Sequence, residues 1–240
     1  MLRRLSAVIL RSRPRRTGRV TNAGAATKDL RVGPEREPDR RADPIPAPLQ
    51  PEELPLGEAR ARFFAESGFD ADGGYNKRWV RIESKPIPIF FPNIEPRVRA
   101  VKLHDLHHIV TGYRTDWVGE AEIGAWEISA GCGKYWAAWA LNAGAFAFGL
   151  AAAPRRTFRA FVRGRRSRSL YHEHFRDELL EETVGGMRGR LGLDADVAPT
   201  RRDVAAFAGW SAAVVAYHAT AAAIGLRAVL WVVSLSRRAR

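Results

Sequence analysis

The C-terminal stretch constrains the fold of this chain more than any other part of the sequence. Residues 204–235 are 32 consecutive positions in which His218 is the only histidine and Arg227 the only charged residue. An uncharged run of more than about 20 residues can cross a bilayer as a helix. The sequence therefore predicts one apolar membrane helix, or more than one, within residues 204–236, with Arg227 reaching an interface. Arginines at the boundary support this prediction, and here they are Arg237, Arg238 and Arg240.

A second apolar stretch, Tyr135–Ala153, has 19 residues without a charge. Its length is just enough to span a bilayer core, but it is rich in Ala and Gly, so a buried core helix is the alternative. If both stretches span, the twelve arginines between them favour the cytoplasmic or matrix side for the connecting segment. In the other arrangement both stretches enter only one leaflet, and the sequence leaves this choice open.

Arginines are concentrated directly after the second stretch. Residues 155–168 contain seven arginines in fourteen positions, with Phe158, Phe161 and Val162 between them. This pattern is typical of a cationic amphipathic segment at a membrane surface, and a solvated charged face is the alternative. The residues predicted to contact lipid headgroups are Arg155, Arg156, Arg159, Arg163, Arg165 and Arg166.

The composition narrows the classes of partner and site. The net charge is +13, and the basic residues are 34 arginines and five lysines. Guanidinium groups suit phosphate and lipid headgroups. Nucleic-acid binding has no support beyond this charge, so we expect a membrane partner and no nucleic acid. The single cysteine, Cys132, excludes an internal disulfide framework and a cysteine-rich zinc site.

The first 55 residues are predicted to lack a folded core. Residues 1–28 contain seven arginines, one lysine and no acidic residue, which fits either an organellar targeting peptide or a disordered basic tail. Residues 29–56 are rich in proline and charged residues and cannot bury enough apolar surface to fold. We therefore assign residues 1–55 to a disordered, basic and Pro-rich tail and expect order to begin near Leu56.

Residues 56–203 are predicted to be an all-α domain of antiparallel helices. The prolines between residues 86 and 96 exclude a helix in that segment, and Trp79–Ile82 suits a short extended piece. Helices are predicted over Glu58–Ser67, Arg97–Val110, Trp117–Ser129 and Ser169–Thr183, with a short turn or helix over Met187–Leu191.

The chemistry of the chain is concentrated in residues 104–120. On the first of the two helices predicted here, His104, Asp105 and His108 fall within about 100° of one another, on the side that carries aliphatic residues. Glu120 lies in the first turn of the next helix and can reach back beside them. Two imidazoles and two carboxylates suit Zn²⁺, Fe²⁺ or Mn²⁺. These four residues are therefore predicted as metal ligands and as the catalytic group, with helix-surface or core histidines as the alternative.

Neighbouring acidic residues and histidines suit the metal less well. Glu127 lies two turns beyond Glu120, roughly 10 Å along the helix axis, so we expect it to make a supporting contact. Glu122 is predicted to point away, and His107 to lie outside the inward-facing group. The sequence contains no Glu-x-x-His, which disfavours a ferritin-like di-iron bundle. It also contains no His-Glu-x-x-His, which excludes a zincin.

These residues resemble the signature of a known family. The sequence His104-Asp105-Leu106-His107-His108, followed by eleven residues and Glu120, is similar to the motif of the coenzyme Q biosynthesis protein 4 family. Thr111-Gly112, Gly119 and Trp126-Glu127 match as well. The resemblance covers about residues 97–130 and, weakly, Leu170–Leu193. The Pro-rich segment at 86–96 and the long apolar C-terminus depart from the family, which leaves the substrate less defined than the metal.

The resemblance implies an all-α fold at a bacterial or mitochondrial inner membrane. It implies a divalent metal, zinc ahead of iron or manganese, held by His104, Asp105, His108 and Glu120. It also implies a role in ubiquinone synthesis, namely oxidative removal of the ring C1 carboxyl of a polyprenylated hydroxybenzoate, beside other enzymes of quinone biosynthesis. The alternative is a non-catalytic scaffold that binds lipid or quinone and organises those enzymes at the membrane.

Overall fold

The computed structural model of the chain describes residues 46–82, 89–195 and 198–238, and within these ranges the fold is all-α, as predicted. The first 45 residues, with most of the predicted disordered tail, lie outside the described residues. One antiparallel hairpin is formed by β1 (Trp79–Ile82) and β2 (Ile89–Pro92). The helices are α1 (Leu56–Ser67), α2 (Glu95–Thr111), α3 (Trp117–Ala130), α4 (Trp136–Ala152), α5 (Pro154–Gly164), α6 (Val184–Leu191) and α7 (Arg201–Arg238).

The turn between α2 and α3 places the two helices side by side. Gly112 ends α2 with a φ of 82°, and a Cβ at this position would collide with the carbonyl oxygen of Ala47, so glycine is required here. The side chain of Asp116 then caps α3 by accepting a hydrogen bond from the N–H of Gly119 at 2.9 Å. As a result, the face of α2 that carries the histidines lies beside the first turns of α3.

Side chains and backbone from distant segments satisfy the last carbonyl groups of α2. The N–H of Leu49 donates to the carbonyl of Ile109 at 2.9 Å, Arg188 donates to that of Val110 at 2.5 Å, and Arg163 donates to that of Thr111 at 2.7 Å. The last carbonyls of a helix have no hydrogen-bond donor within the helix. These three donors supply the missing hydrogen bonds and fix the C-terminal end of α2.

The contact of Leu49 corrects the expected start of the folded part. Gln50 is buried, and Leu49 and Leu54 pack against the core. Residues 49–55 therefore belong to the folded body, because two of their leucines pack against the core in partly buried positions and Leu49 supplies a backbone donor to α2.

The central helix of the body is α3, whose residues 121–128 are all buried. It packs against α4 and α5, and two glycines allow the helices to approach closely. A Cβ on Gly124 would lie 2.9 Å from the Cβ of Ala145 in α4. A Cβ on Gly164 would collide with the carbonyl oxygen of Trp126 and the hydroxyl of Ser129. The interior is close-packed along α3, so a larger side chain at Gly124 or Gly164 would have no space to occupy.

Of the two alternatives for the second apolar stretch, the structure shows a packed helix. α4 is 17 residues long, and it buries Asn142 and Phe146 between α3, α5 and α7. Its outer face, which includes Trp136, Leu141 and Phe148, is exposed.

The last helix, α7, is long and apolar enough to cross a membrane, as the sequence predicts. At its base, Asp203 pairs with Arg165 at 2.8 Å and with Arg166 at 2.5 Å. Further along, the rings of Trp210 and Trp139 are stacked with their centroids 5.6 Å apart. Beyond His218, the described side chains as far as Trp231 are all exposed. α7 therefore begins on the body and extends away from it.

The structure does not form the helix expected over Ser169–Thr183. Only two short 3-10 turns occur there, Leu170–His172 and Asp177–Leu180. The N–H of Leu170 donates to Nε2 of His107 at 2.8 Å, and the Tyr171 ring is buried beside the same imidazole. These contacts with α2 hold the segment in an irregular conformation that local helix propensity does not foresee.

Among the arginines expected at lipid headgroups, Arg156, Arg163, Arg165 and Arg166 make hydrogen bonds or ion pairs within the protein. Arg156 forms a bidentate pair with Glu122 at 2.8 and 2.6 Å, so Glu122 is buried but points away from the histidines, as predicted. Arg163 donates to α2, while Arg165 and Arg166 bind Asp203. Headgroup contact by this segment, including Arg155 and Arg159, stays a prediction.

We expect Gly164→Ala to destabilise the protein by about 2–3 kcal/mol, because overpacking against backbone cannot be relieved by a side-chain rotation. Gly144→Ala in α4 is the matched control, since a Cβ there meets no atom within 4 Å. Thermal and chemical unfolding of both variants measures the difference. Equal stability of the two variants would show that α3 and α5 are not in close contact at Gly164.

Candidate metal site

Two helices bring three of the four predicted ligands together. Nε2 of His104 and Nε2 of His108, both on α2, lie 3.1 Å apart. Glu120 on α3 completes the group, with one oxygen 3.5 Å from the Nε2 of His104 and the other 3.3 Å from that of His108. All three ligand atoms lie within 4.8 Å of one another, and the group can hold a metal ion.

The hydrogen bonds of the two Nδ1 atoms, which point away from Glu120, determine whether the two Nε2 atoms can act as ligands. Nδ1 of His108 faces the carbonyl oxygen of Tyr113 at 2.9 Å, so that nitrogen must carry the proton and donate it. Nδ1 of His104 faces the carboxylate of Glu127 at 2.9 Å and likewise donates. In their neutral forms, both imidazoles then direct an Nε2 lone pair toward the carboxylate of Glu120. Such outer hydrogen bonds are the usual support of a metal-binding histidine.

With both imidazoles neutral, every inner atom is an acceptor, and this geometry favours a cation between them, either a proton or a metal ion. Ligands at about 2.0–2.2 Å from a metal are separated by about 3.4 Å in a tetrahedron and about 3.0 Å in an octahedron. The 3.1 Å between the two Nε2 atoms and the 3.3 Å from His108 to one oxygen of Glu120 fall between these two values, and the 3.5 Å from His104 to the other oxygen lies just above them. They suit zinc, iron or manganese alike and do not select among them.

Charge around His104 likewise favours a cation at this point. Burial acts to lower the pKa of His104, but the carboxylates of Glu127 and Glu120 outweigh it and raise the pKa well above its ordinary value. Burial acts to raise the pKa of Glu120, yet the histidines hold it below its ordinary range. The raised pKa of His104 means that a proton is held between this imidazole and the carboxylates. A bound metal ion would replace that proton.

Asp105, the fourth predicted ligand, lies beside this group and not within it. Its Oδ2 accepts a hydrogen bond from the hydroxyl of Tyr75 at 2.5 Å. Burial raises the pKa of Asp105, while His104 and the Tyr75 hydroxyl act to lower it. Tyr75 itself is held by the hairpin, because the amide of Asn93 donates to the carbonyl oxygen of Tyr75 at 3.1 Å.

Glu127 is fully buried on α3 and accepts four hydrogen bonds. Its Oε1 accepts from Nδ1 of His104 at 2.9 Å and from Nδ1 of His107 at 2.6 Å. Its Oε2 accepts from the amide of Asn142 at 2.5 Å and from the hydroxyl of Tyr171 at 3.0 Å. Burial acts to raise the pKa of Glu127, but the two histidines outweigh it, so the pKa lies below its ordinary range. Glu127 therefore supports the site without entering it, as the helical spacing predicts.

Sequence reasoning missed three members of this network. His107 is fully buried, and burial lowers its pKa. The remaining nitrogen of His107 accepts from the N–H of Leu170, which confirms that Nδ1 is the donor to Glu127. Asn142 and Tyr171 come from segments 15 and 44 residues away from Glu127. The additional histidine beside His108, His107, was a signal for this network, whereas nothing local marks Asn142 or Tyr171.

The group opens to solvent on one side. The side chain of Glu120 is 38% exposed, whereas that of His108 is 2% exposed and that of Glu127 fully buried. On the inner side the ring of Phe63 stacks on the imidazole of His108, with centroids 5.9 Å apart. A small ligand can therefore approach past Glu120, while the supporting network stays dry.

Comparison with known proteins provides no further identification: no family model, curated protein or solved structure matches this chain.

We predict that Glu127→Gln weakens metal affinity about 10- to 100-fold, the usual effect of removing a partner that orients a ligand. An amide at this position cannot accept all four hydrogen bonds. Competition with a chelator measures the affinity, and circular dichroism checks the fold. The control is Glu122→Gln on the same helix, whose carboxylate binds Arg156 and not the histidines. Unchanged affinity in a folded Glu127→Gln protein would remove the supporting role.

Proposed function

We propose that this protein is a membrane-associated, metal-dependent enzyme of quinone biosynthesis. Its substrate would be a polyprenylated hydroxybenzoate-type ring, from which it removes the C1 carboxyl oxidatively. The observation that carries the metal dependence is the group of inward-facing acceptors on His104, His108 and Glu120, spaced as metal ligands are. The identity of the ring rests on the resemblance of residues 97–130 to the coenzyme Q biosynthesis protein 4 family.

The reaction balances with dioxygen and an electron donor as co-reactants. The ring carboxyl leaves as carbon dioxide, one oxygen atom becomes the new ring hydroxyl, and the other is reduced to water by two electrons and two protons. A bound metal would supply Lewis acidity or a site for oxygen activation. Glu127 would hold the imidazole of His104 in place, and Asp105 would lie beside the metal, hydrogen-bonded to Tyr75.

The apolar helices supply a reason for a lipid-like substrate. α7 is long and apolar enough to cross a membrane, and its apolar part is almost wholly exposed. The outer face of α4 is also exposed and carries no charge. A prenyl tail can lie along such surfaces while the ring reaches the partly exposed side of the site at Glu120. We place the protein at a bacterial or mitochondrial inner membrane.

A non-catalytic scaffold is the second candidate, and one observation favours it. Glu127 joins α2, α3, α4 and the turn at Tyr171 through buried hydrogen bonds. These bonds lie next to the metal group, which is formed by His104, His108 and Glu120. A metal there would stabilise the fold even without chemistry. In that case the protein would bind quinone or lipid and hold other biosynthetic enzymes at the membrane.

Single substitutions in the metal group separate the two functions. If the protein is the enzyme, His108→Ala and Glu120→Ala lower product formation by more than about 100-fold, because each removes a metal ligand, and both variants remain folded and membrane-bound. Glu58→Ala, at an exposed acidic residue of α1 whose partner is the exposed Arg62, is the control. Mass spectrometry of the prenylated lipids measures the product. Variants that keep forming product, or whose only defect is unfolding or loss of partner proteins, would favour the scaffold.

A further inference from the structure

The direction of α7 relative to α4 determines which end of the body faces a bilayer. Along α4, Trp139 precedes Phe146, and along α7 their partners come in the reverse order. Trp139 stacks on Trp210, whereas Phe146 contacts Phe207, with centroids 5.6 and 5.5 Å apart. The two helices therefore run in opposite directions where they pack. α7 starts near the C-terminal end of α4 and extends past its N-terminal end.

Side-chain exposure along α7 shows where the body stops. Val214, one turn beyond Trp210, is buried, and His218 is partly buried. From Ala219 to Trp231 every described side chain is exposed. α7 thus leaves the body close to the level at which α4 begins.

The end of the body that surrounds this point is basic and aromatic. Trp136, the first residue of α4, is 59% exposed. Lys134 is exposed, and its ammonium lies 2.8 Å from Nε2 of His174. Lys134, His172 and His174 line a shallow depression of about 210 Å³. The one carboxylate there, on Glu173, is paired with Arg190.

We propose that this end of the body, defined by Lys134, Trp136, His172 and His174, rests on anionic phospholipid headgroups when α7 enters the bilayer. This inference rests on the membrane association in the proposed function. An exposed tryptophan beside an exposed lysine is an arrangement favoured at the headgroup level. The depression is large enough to receive a phosphate group between Lys134 and the two imidazoles.

The proposal moves the headgroup contact away from the arginine-rich segment. Asp203, which binds Arg165 and Arg166, precedes Ala219 by 16 residues of one continuous helix, a distance of about 24 Å along its axis. Arg155 follows the C-terminal end of α4, about 25 Å from Trp136 by the length of that helix. The arginine-rich segment would then face the aqueous side.

Energy transfer from the two ends of α4 tests this orientation in the full-length protein. A donor dye is attached to Trp136→Cys or to Arg155→Cys. Cys132 stays unlabelled because it is buried, and burial also raises the pKa of its thiol. The proteins are reconstituted into phosphatidylcholine–phosphatidylglycerol vesicles that carry an acceptor dye on the headgroups. We expect several-fold stronger transfer from position 136 than from position 155.

Each other result has a defined meaning. Equal transfer from both positions, stronger transfer from position 155, or no transfer from either would overturn the proposal. Flotation of the vesicles is measured separately. A protein that does not float with vesicles would contradict the membrane association itself, and with it this inference. A protein that floats but shows the wrong transfer pattern would contradict the orientation alone.

The choice of lipid is tested in the Trp136→Cys protein by placing the acceptor either on phosphatidylglycerol or on phosphatidylcholine. Preference for the anionic acceptor is expected, and Lys134→Glu should abolish it, whereas Arg155→Glu should not. Two results would show that Lys134 does not bind the headgroups. One is equal transfer to both lipids in the Trp136→Cys protein that keeps Lys134 and Arg155, and the other is a preference that survives Lys134→Glu.

Discussion

The buried carboxylate of Glu127 is the interaction on which the rest of the structure depends. It accepts hydrogen bonds from two histidines of α2, from Asn142 of α4 and from Tyr171 of an irregular segment. A buried carboxylate is tolerated only when its lone pairs are satisfied, so these four segments must meet at one point. Once they meet, the imidazole of His104 is oriented with its lone pair toward His108 and Glu120. The metal group is thus a consequence of the way the core is hydrogen-bonded.

α4 connects this core to the apolar helix. Its side chain Asn142 donates to Glu127, and one turn earlier Trp139 stacks on Trp210 of α7. The base of α7 is held by the pairing of Asp203 with two arginines. Because the same helix contacts both the supporting network and α7, the distance between the metal group and the exposed part of α7 is set by packing.

Patterns that lie within one helix could be predicted from the sequence, and contacts between distant segments could not. Helical spacing placed His104 and His108 together, selected Glu120 as their partner and assigned Glu127 a supporting contact, as the structure shows. It did not foresee that Asp105 binds Tyr75, 30 residues away, or that His107 is buried. The segment after Ser169 was predicted as a helix because local propensity cannot anticipate its hydrogen bond to His107. The all-α class and the apolar C-terminal helix followed from periodicity and length alone.

The metal content of the purified protein tests the central claim most directly. After expression in medium that contains zinc, iron and manganese, elemental mass spectrometry of the native chain should find close to one metal ion per chain. His108→Ala should lose it, because that substitution removes one of the inward-facing acceptors. A native protein that is folded yet carries no stoichiometric metal would contradict the account, as would full retention of the ion by His108→Ala.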